Sequence, residues 1–122
     1  MESLYYILCL RHSDINDYAM KWWGPNSSGY TPNLNLAGKY TEDQIQKFKD
    51  HEQEDLPILC TEIDSMAVER EYNYDGWELG RFILNDEVFW NTYNINAKKL
   101  FYHTGRGGDK QYFKYPINKG KS

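Results

Sequence analysis

The 122 residues and 14.5 kDa of the chain suffice for one domain, 1–122, and 40% apolar with 26% charged residues exclude wholesale disorder. A net charge of −4 argues against a general nucleic-acid binder. Cys9 and Cys60 are the two cysteines, too few for a disulfide scaffold or a four-cysteine zinc site. No apolar run approaches the roughly 20 residues that span a bilayer. Met1-Glu2-Ser3-Leu4 has no basic stretch of the kind that opens a secretory signal, so a cytoplasmic protein with no membrane partner is expected. Eleven Tyr and four Trp exceed what so small a core needs. The surplus is expected to line a surface, a pocket or an oligomer interface.

In chain order, Ser3 to Arg11 is rich in aromatic and aliphatic residues and predicts a buried strand. Asp14 to Asp17 is turn chemistry, and Tyr18 to Trp23 predicts the second strand of a hairpin. Gly24 to Asn35, broken by Gly and Pro and studded with Asn and Ser, predicts a shaped loop. Thr41-Glu-Asp-Gln44 spells a capping box for a helix from about Glu42 to His51, with acidic residues in its first turn. Leu56 to Cys60 predicts a short strand, and Thr61 is placed to cap a brief helix carrying Ile63, Met66 and Ala67. Residues 69–80, with Tyr72, Tyr74, Trp77, Gly76 and Gly80, read as irregular. Phe82 to Leu84 is a further apolar piece, and Asn85 or Asp86 caps a helix to about Ile95 that buries Val88, Phe89 and Thr92. A β-hairpin over about 97–116, with a glycine-rich turn at Gly105 to Asp109, is expected to close the chain. The fold class expected is α+β: an antiparallel sheet, two to three short helices and this C-terminal hairpin.

Charge is unevenly distributed. Thr41 to Glu78 holds twelve acidic residues against three basic ones, and residues 96–122 hold seven basic residues against Asp109 alone. Such a dipole suits a solvated face or an anion-facing patch.

The inventory for catalysis is thin. His12, His51 and His103 are scattered and form no metal-ligand motif with the cysteines, so neither metal nor cofactor is expected. Gly105 to Lys110 lacks the Lys-Ser/Thr ending of a phosphate loop, and it joins two expected strands rather than a strand and a helix. Cys9, Cys60 and Ser13 sit in no local pattern that marks a nucleophile. His12-Ser13 and His103-Thr104 lack the intervening residue of a His-x-Ser/Thr phosphodiesterase pair. No enzyme activity is expected.

The informative segment is residues 22–40, Trp-Trp-Gly-Pro-Asn-Ser-Ser-Gly-Tyr-Thr-Pro-Asn-Leu-Asn-Leu-Ala-Gly-Lys-Tyr. Strand alternation sends one of Trp22 and Trp23 inward and the other outward. Gly and Asn let a backbone approach a ligand and offer amide groups matching base edges or ribose hydroxyls. An exposed aromatic ring can stack on a nucleobase.

With Tyr5-Tyr-Ile-Leu before it and Ala37-Gly-Lys-Tyr-Thr41 at its end, this segment resembles a family of small phage and prophage proteins of Firmicutes. The later Ile58-Leu-Cys60, and Ile83-Leu-Asn85 followed by Trp90, extend the likeness across roughly residues 4–92. Gly24 departs from the pattern, standing where the family carries a basic residue. Within that group the chain is similar to the first-described Thoeris anti-defence family. Its members act as sponges, binding the cyclic ADP-ribose signal of bacterial TIR-domain enzymes and holding it uncleaved. The resemblance implies a non-enzymatic protein that sequesters a cyclic ADP-ribose isomer as a homodimer or higher homo-oligomer. For such a ligand Trp22, Trp23, Tyr30 and Phe82 are candidate stacking residues, and Asn26 and Asn85 are candidate polar readers. Arg70, Arg81 and Arg106 are candidate phosphate contacts. The alternative is a protein–protein inhibitor of a host defence complex, anti-CRISPR-like, whose acidic 41–78 stretch mimics nucleic acid.

Overall fold

In the computed structural model, which describes residues 3–15, 17–51, 54–73, 76–95 and 113–114, strand β1 (Leu4–Cys9) is paired along both edges. The strands that join it, all antiparallel, are β2 (Trp22–Trp23), β3 (Tyr30–Thr31), β4 (Tyr40–Thr41) and β5 (Asp55–Leu59). Along one edge β5 runs in register from Tyr5↔Leu59 to Cys9↔Asp55. The other edge is shared by β4, opposite Leu4 and Tyr5, and β2, opposite Leu8. Side-chain alternation sends Tyr6, Leu8 and Leu10 into one cluster with Trp22, Leu34, Ile63 and Phe89. Ile7 points the other way, against Tyr40, Ile45 and Phe48. Both faces of β1 are therefore covered, and burying a side chain such as Leu8 contributes about 1.5–3 kcal/mol.

Helix α1 (Glu42–Ile45) starts on the expected capping box. Gln44 N–H donates to Thr41 Oγ1 at 3.2 Å, and Thr41 N–H donates to Gln44 Oε1 at 2.8 Å. A tighter 3₁₀ turn, Gln46–His51, continues it. Helix α2 (Cys60–Met66) follows β5 directly, with Leu59 at its N-cap and no side-chain cap bond, so Thr61 lies inside the helix rather than capping it. Asp86 caps α3 (Glu87–Thr92) by accepting from Phe89 N–H at 3.0 Å. Phe89 is buried as expected, whereas Val88 is 74% exposed and Thr92 lies on the exposed side, its hydroxyl donating back to Val88 O.

Two further expectations are corrected. Residues 69–80 form no irregular stretch: β6 (Val68–Asn73) and β7 (Trp77–Phe82) pair antiparallel over six positions. Gly80 reads as a break but is a site of close approach, since a Cβ there would lie 2.8 Å from the Asn33 amide atoms. Tyr18 to Trp23 does not pair with β1 throughout either. Trp22 faces Leu8, but Ala19 bridges Leu84, Met20 N–H donates to Ile83 O, and Asn85 N–H donates to Tyr18 O. The segment thereby ties the sheet to the exit of the β6–β7 hairpin.

The expected C-terminal hairpin lies outside the described residues except for Phe113 and Lys114. Phe113 bridges Tyr72 and packs with Tyr18 and Phe82, and Lys114 N–H donates to Glu71 O. The class is α+β, with antiparallel sheets and three short α-helices among the described residues. Among these residues no helix is long and apolar enough to cross a membrane.

Candidate ligand site

The aromatic loop is held by its own hydrogen bonds. Gly24 N–H donates to Gly29 O at 2.8 Å, where Gly29 has a φ of +71°. Asn26 and Ser27 are also left-handed, at φ 56° and 58°. The Tyr40 hydroxyl donates to Gly24 O and accepts from Ser27 N–H at 2.9 Å, and Gly38 N–H closes onto Trp23 O at 2.9 Å. This bracing delivers Tyr30 to the surface at 48% exposure. Its ring stacks on His12, with centroids 3.9 Å apart and 20° between planes.

His12 is fixed in turn from behind. Its Nδ1 lies 2.9 Å from Cys9 Sγ. Burial pushes the Cys9 thiol up to about 11, while burial and then the neighbouring Arg11 hold His12 below the usual imidazole range. The pair is thus an uncharged thiol and imidazole at neutral pH, and Cys9 has no exposed surface. Its geometric effect is to orient the ring on which Tyr30 lies.

Beyond Tyr30 the chain turns through a 3₁₀ helix, Leu34–Leu36, capped by Asn33. Asn33 Oδ1 accepts from Asn35 N–H at 3.0 Å and from Arg81 N–H at 3.2 Å, which joins the loop to β7. Between loop and hairpin lies a cavity of about 330 Å³. Tyr30, Thr31, Pro32, Asn33 and Leu36 form its loop wall, Tyr72 and Glu78 of the hairpin form the opposite side, and Lys21, just before β2, completes the lining. Lys21 Nζ is 2.6 Å from Asp17 Oδ2, so its charge is balanced from behind. The combination of aromatic rings, an amide, a carboxylate and an ion-paired ammonium suits a ligand with a planar ring and hydrogen-bond donors.

The expected site residues divide sharply. Tyr30 lines the cavity, and Trp23 meets it edge-on at 6.5 Å while donating from Nε1 to Asp55 Oδ1 at 2.8 Å. Trp22 and Phe82 have no exposed surface and are core residues, which corrects their placement as stacking platforms. Trp22 packs on Tyr6 and Phe89, and Phe82 on Tyr72 and Phe113. Asn26 is exposed at the tip of the loop. Asn85 is no free reader: its amide donates to Asp14 O and Asp17 O at 3.0 Å, and its oxygen accepts from Trp90 Nε1 at 2.9 Å.

Arg70 and Arg81 form no joint clamp, because the register sets Arg70 opposite Gly80 and Arg81 opposite Glu69, on alternate faces of the hairpin. Arg70 donates to the Tyr18 hydroxyl and Glu69 O. Arg81 donates to Asp64 Oδ1 and Asn35 Oδ1, each at 2.7 Å, and the bond to Asp64 is the largest cause raising its pKa. Arg106 lies outside the described residues. Missed from the sequence were Lys21, Asn33, Tyr72 and Glu78. Tyr72 and Glu78 would have emerged from a period-2 reading of 68–73 against 77–82.

A second cavity, about 340 Å³, lies between α3 and the hairpin exit, lined by Met66, Val68, Ile83, Leu84, Val88 and Phe89. Its one carboxylate, Asp86, is occupied in capping α3, so this cavity offers little to a polar ligand. No group of three or more His, Cys, Asp or Glu side chains able to hold a metal ion occurs among the described residues. No protein-family model, curated protein or solved structure matches the chain.

Proposed function

We propose that the protein binds a cyclic ADP-ribose-type signalling nucleotide in the Tyr30–Tyr72 cavity and holds it intact, as a phage protein acting against host TIR-enzyme defence. One observation carries this reading: tyrosines from two distant elements line the same cavity of about 330 Å³, beside the Asn33 amide and the Lys21 ammonium. A base stacks on tyrosine for roughly 1–3 kcal/mol, and an ammonium is a general phosphate partner. The volume sits at the low end of ligand sites, which run from roughly 300 to 1,000 Å³. One nucleoside unit fits, and the rest of a cyclic dinucleotide-sized ligand extends past the rim at Tyr30 and Leu36, 48% and 53% exposed. A second copy of the chain covering that rim supplies the remaining contacts, so the functional unit is a homodimer or higher homo-oligomer. The sequence resemblance across residues 4–92 supports the same ligand class.

The test is to incubate the protein with the product of an activated TIR enzyme, remove it by filtration, and denature it. Mass spectrometry of both fractions should show the nucleotide leaving solution and returning intact. Return as fragments would establish turnover instead. A nucleotide that never leaves solution would sink the proposal.

The outer face of the hairpin favours a second reading, inhibition of a host protein. Trp77 and Leu79 are 45% and 59% exposed there, alongside Glu69 and Glu71. Charge reversal at Glu69 and Glu71 should then abolish inhibition, whereas the nucleotide reading expects no effect.

A further inference from the structure

Backbone groups along β7 turn alternately toward β6 and toward the outer edge of the hairpin. Arg81 N–H points outward, onto Asn33 Oδ1 at 3.2 Å. On β6, Glu71 O also points outward, accepting from Lys114 N–H at 3.0 Å. Trp77 and Leu79, opposite Asn73 and Glu71, fall on the same alternation, so their N–H and C=O groups face the outer edge of β7. Among the described residues no backbone or side-chain group pairs with them. The outer edge of β5 is different. Leu10 N–H donates to Glu54 O, which sets Pro57 among the residues whose backbone turns outward, and proline has no N–H to offer. The β5 edge is blunted, whereas β7 is open from Trp77 to Leu79.

The side chains of this edge are sorted by face. Trp77 and Leu79, 45% and 59% exposed, lie on the outer face, and Glu78 lies exposed on the other. No cation pairs with Glu78 or Glu69 among the described residues, so the hairpin carries unbalanced negative charge. The opposite edge shows what a strand seated on this hairpin does. Phe113 turns inward against Tyr72 and Phe82, while Lys114 reaches Glu71 at 3.6 Å and lies 4.6 Å over the Trp77 ring. On β7 the carboxylate is on the inner face and the apolar pair on the outer one. A complementary strand therefore has its basic residue inward and apolar residues on either side of it.

We propose that the outer edge of β7 takes an extended strand of another protein, with a Lys or Arg opposite Glu78 and apolar residues opposite Trp77 and Leu79. Main-chain bonds at Trp77 and Leu79 supply attachment, and the alternating side chains supply selectivity. The proposal rests on the second reading above, inhibition of a host protein, and states that partner's chemistry. A second copy of the chain fits this edge poorly. Pairing Trp77 of each copy with Leu79 of the other sets Glu78 against Glu78, and directly opposed like charges are destabilising.

The test titrates the full chain by NMR at low salt with two capped pentapeptides, Thr-Val-Lys-Val-Thr and Thr-Val-Glu-Val-Thr. The lysine peptide should shift the amide signals of Trp77 and Leu79 and bind about fivefold more tightly than the glutamate peptide, since replacing attraction by repulsion across a ladder is worth about that factor. In E78K the order of the two peptides should reverse. Leu79→Pro should abolish docking, because it removes an edge N–H that β6 does not use. Unmoved Trp77 and Leu79 signals with both peptides overturn the proposal, as does a preference that does not reverse in E78K, or docking that survives Leu79→Pro. The two peptides on the unaltered chain decide even if neither variant folds. Inhibition lost on charge reversal at Glu69 and Glu71, with no peptide docking at β7, defeats this inference alone. Lysine-selective docking by a chain that inhibits no host protein defeats the second reading and leaves the edge its role.

Discussion

Asn33 and Arg81, 48 positions apart in the chain, are joined through the Asn33 side-chain oxygen, which accepts the Arg81 backbone N–H at 3.2 Å. The same oxygen caps the 3₁₀ helix through Asn35 N–H at 3.0 Å. One buried amide therefore sets the width of the cavity, because it anchors both walls.

Asn33→Ala should leave two backbone donors without this acceptor and cost about 1–3 kcal/mol of stability. Gly80→Ala should cost a similar amount, about 1–3 kcal/mol, by forcing a methyl group against the same amide. Chemical denaturation measures both. A midpoint unchanged in either variant would show that the loop and hairpin are not clamped at this point.

Tyr30 and Trp22 should separate binding from folding. Tyr30 is half exposed, so Tyr30→Ala should change stability by less than about 1 kcal/mol while weakening nucleotide binding about tenfold or more. Trp22→Ala removes the largest fully buried side chain and should cost about 3–5 kcal/mol. Thermal melts beside binding titrations check the pair, and a Tyr30→Ala variant that binds normally would exclude Tyr30 from the site.

Asn85 should behave as a clasp. Its amide N–H groups meet the carbonyls of Asp14 and Asp17, so Asn85→Asp sets a carboxylate against two carbonyl oxygens. A loss of about 2–3 kcal/mol is expected in denaturant unfolding. If stability held and only ligand affinity fell, Asn85 would be a ligand reader after all.

Both cysteines tie stability to alkaline pH. Burial raises Cys9 and Cys60 from 9.0 to about 11, so the unfolded chain releases these protons first. Their contribution is fully present below pH 9 and is lost as pH rises from about 9 to about 11. Unfolding free energy measured across that range should fall, and less steeply in Cys9→Ser. A thiol reagent at neutral pH should modify neither cysteine until the protein unfolds, since both are buried.

Local chemistry was legible in the sequence where the partners lie within a few residues. The Thr41–Gln44 capping box formed with both of its bonds, because donor and acceptor are three residues apart and no distant contact competes. The strand at Leu4 to Cys9 and the opposite facing of Trp22 and Trp23 follow from the two-residue period of an extended chain. Which tryptophan went inward was decided by the tertiary structure, as was the burial of Phe82, because burial depends on what packs across from a side chain. The β6–β7 ladder escaped the local reading because Gly80 looks like a break until Asn33, 47 positions earlier, is laid against it. The cavity needed the same long-range step. Tyr30 could be named from its own loop, and Lys21 reaches the cavity through the β2–β3 pairing, but Tyr72 and Glu78, even once read as a facing pair, joined it only when the hairpin docked on the loop.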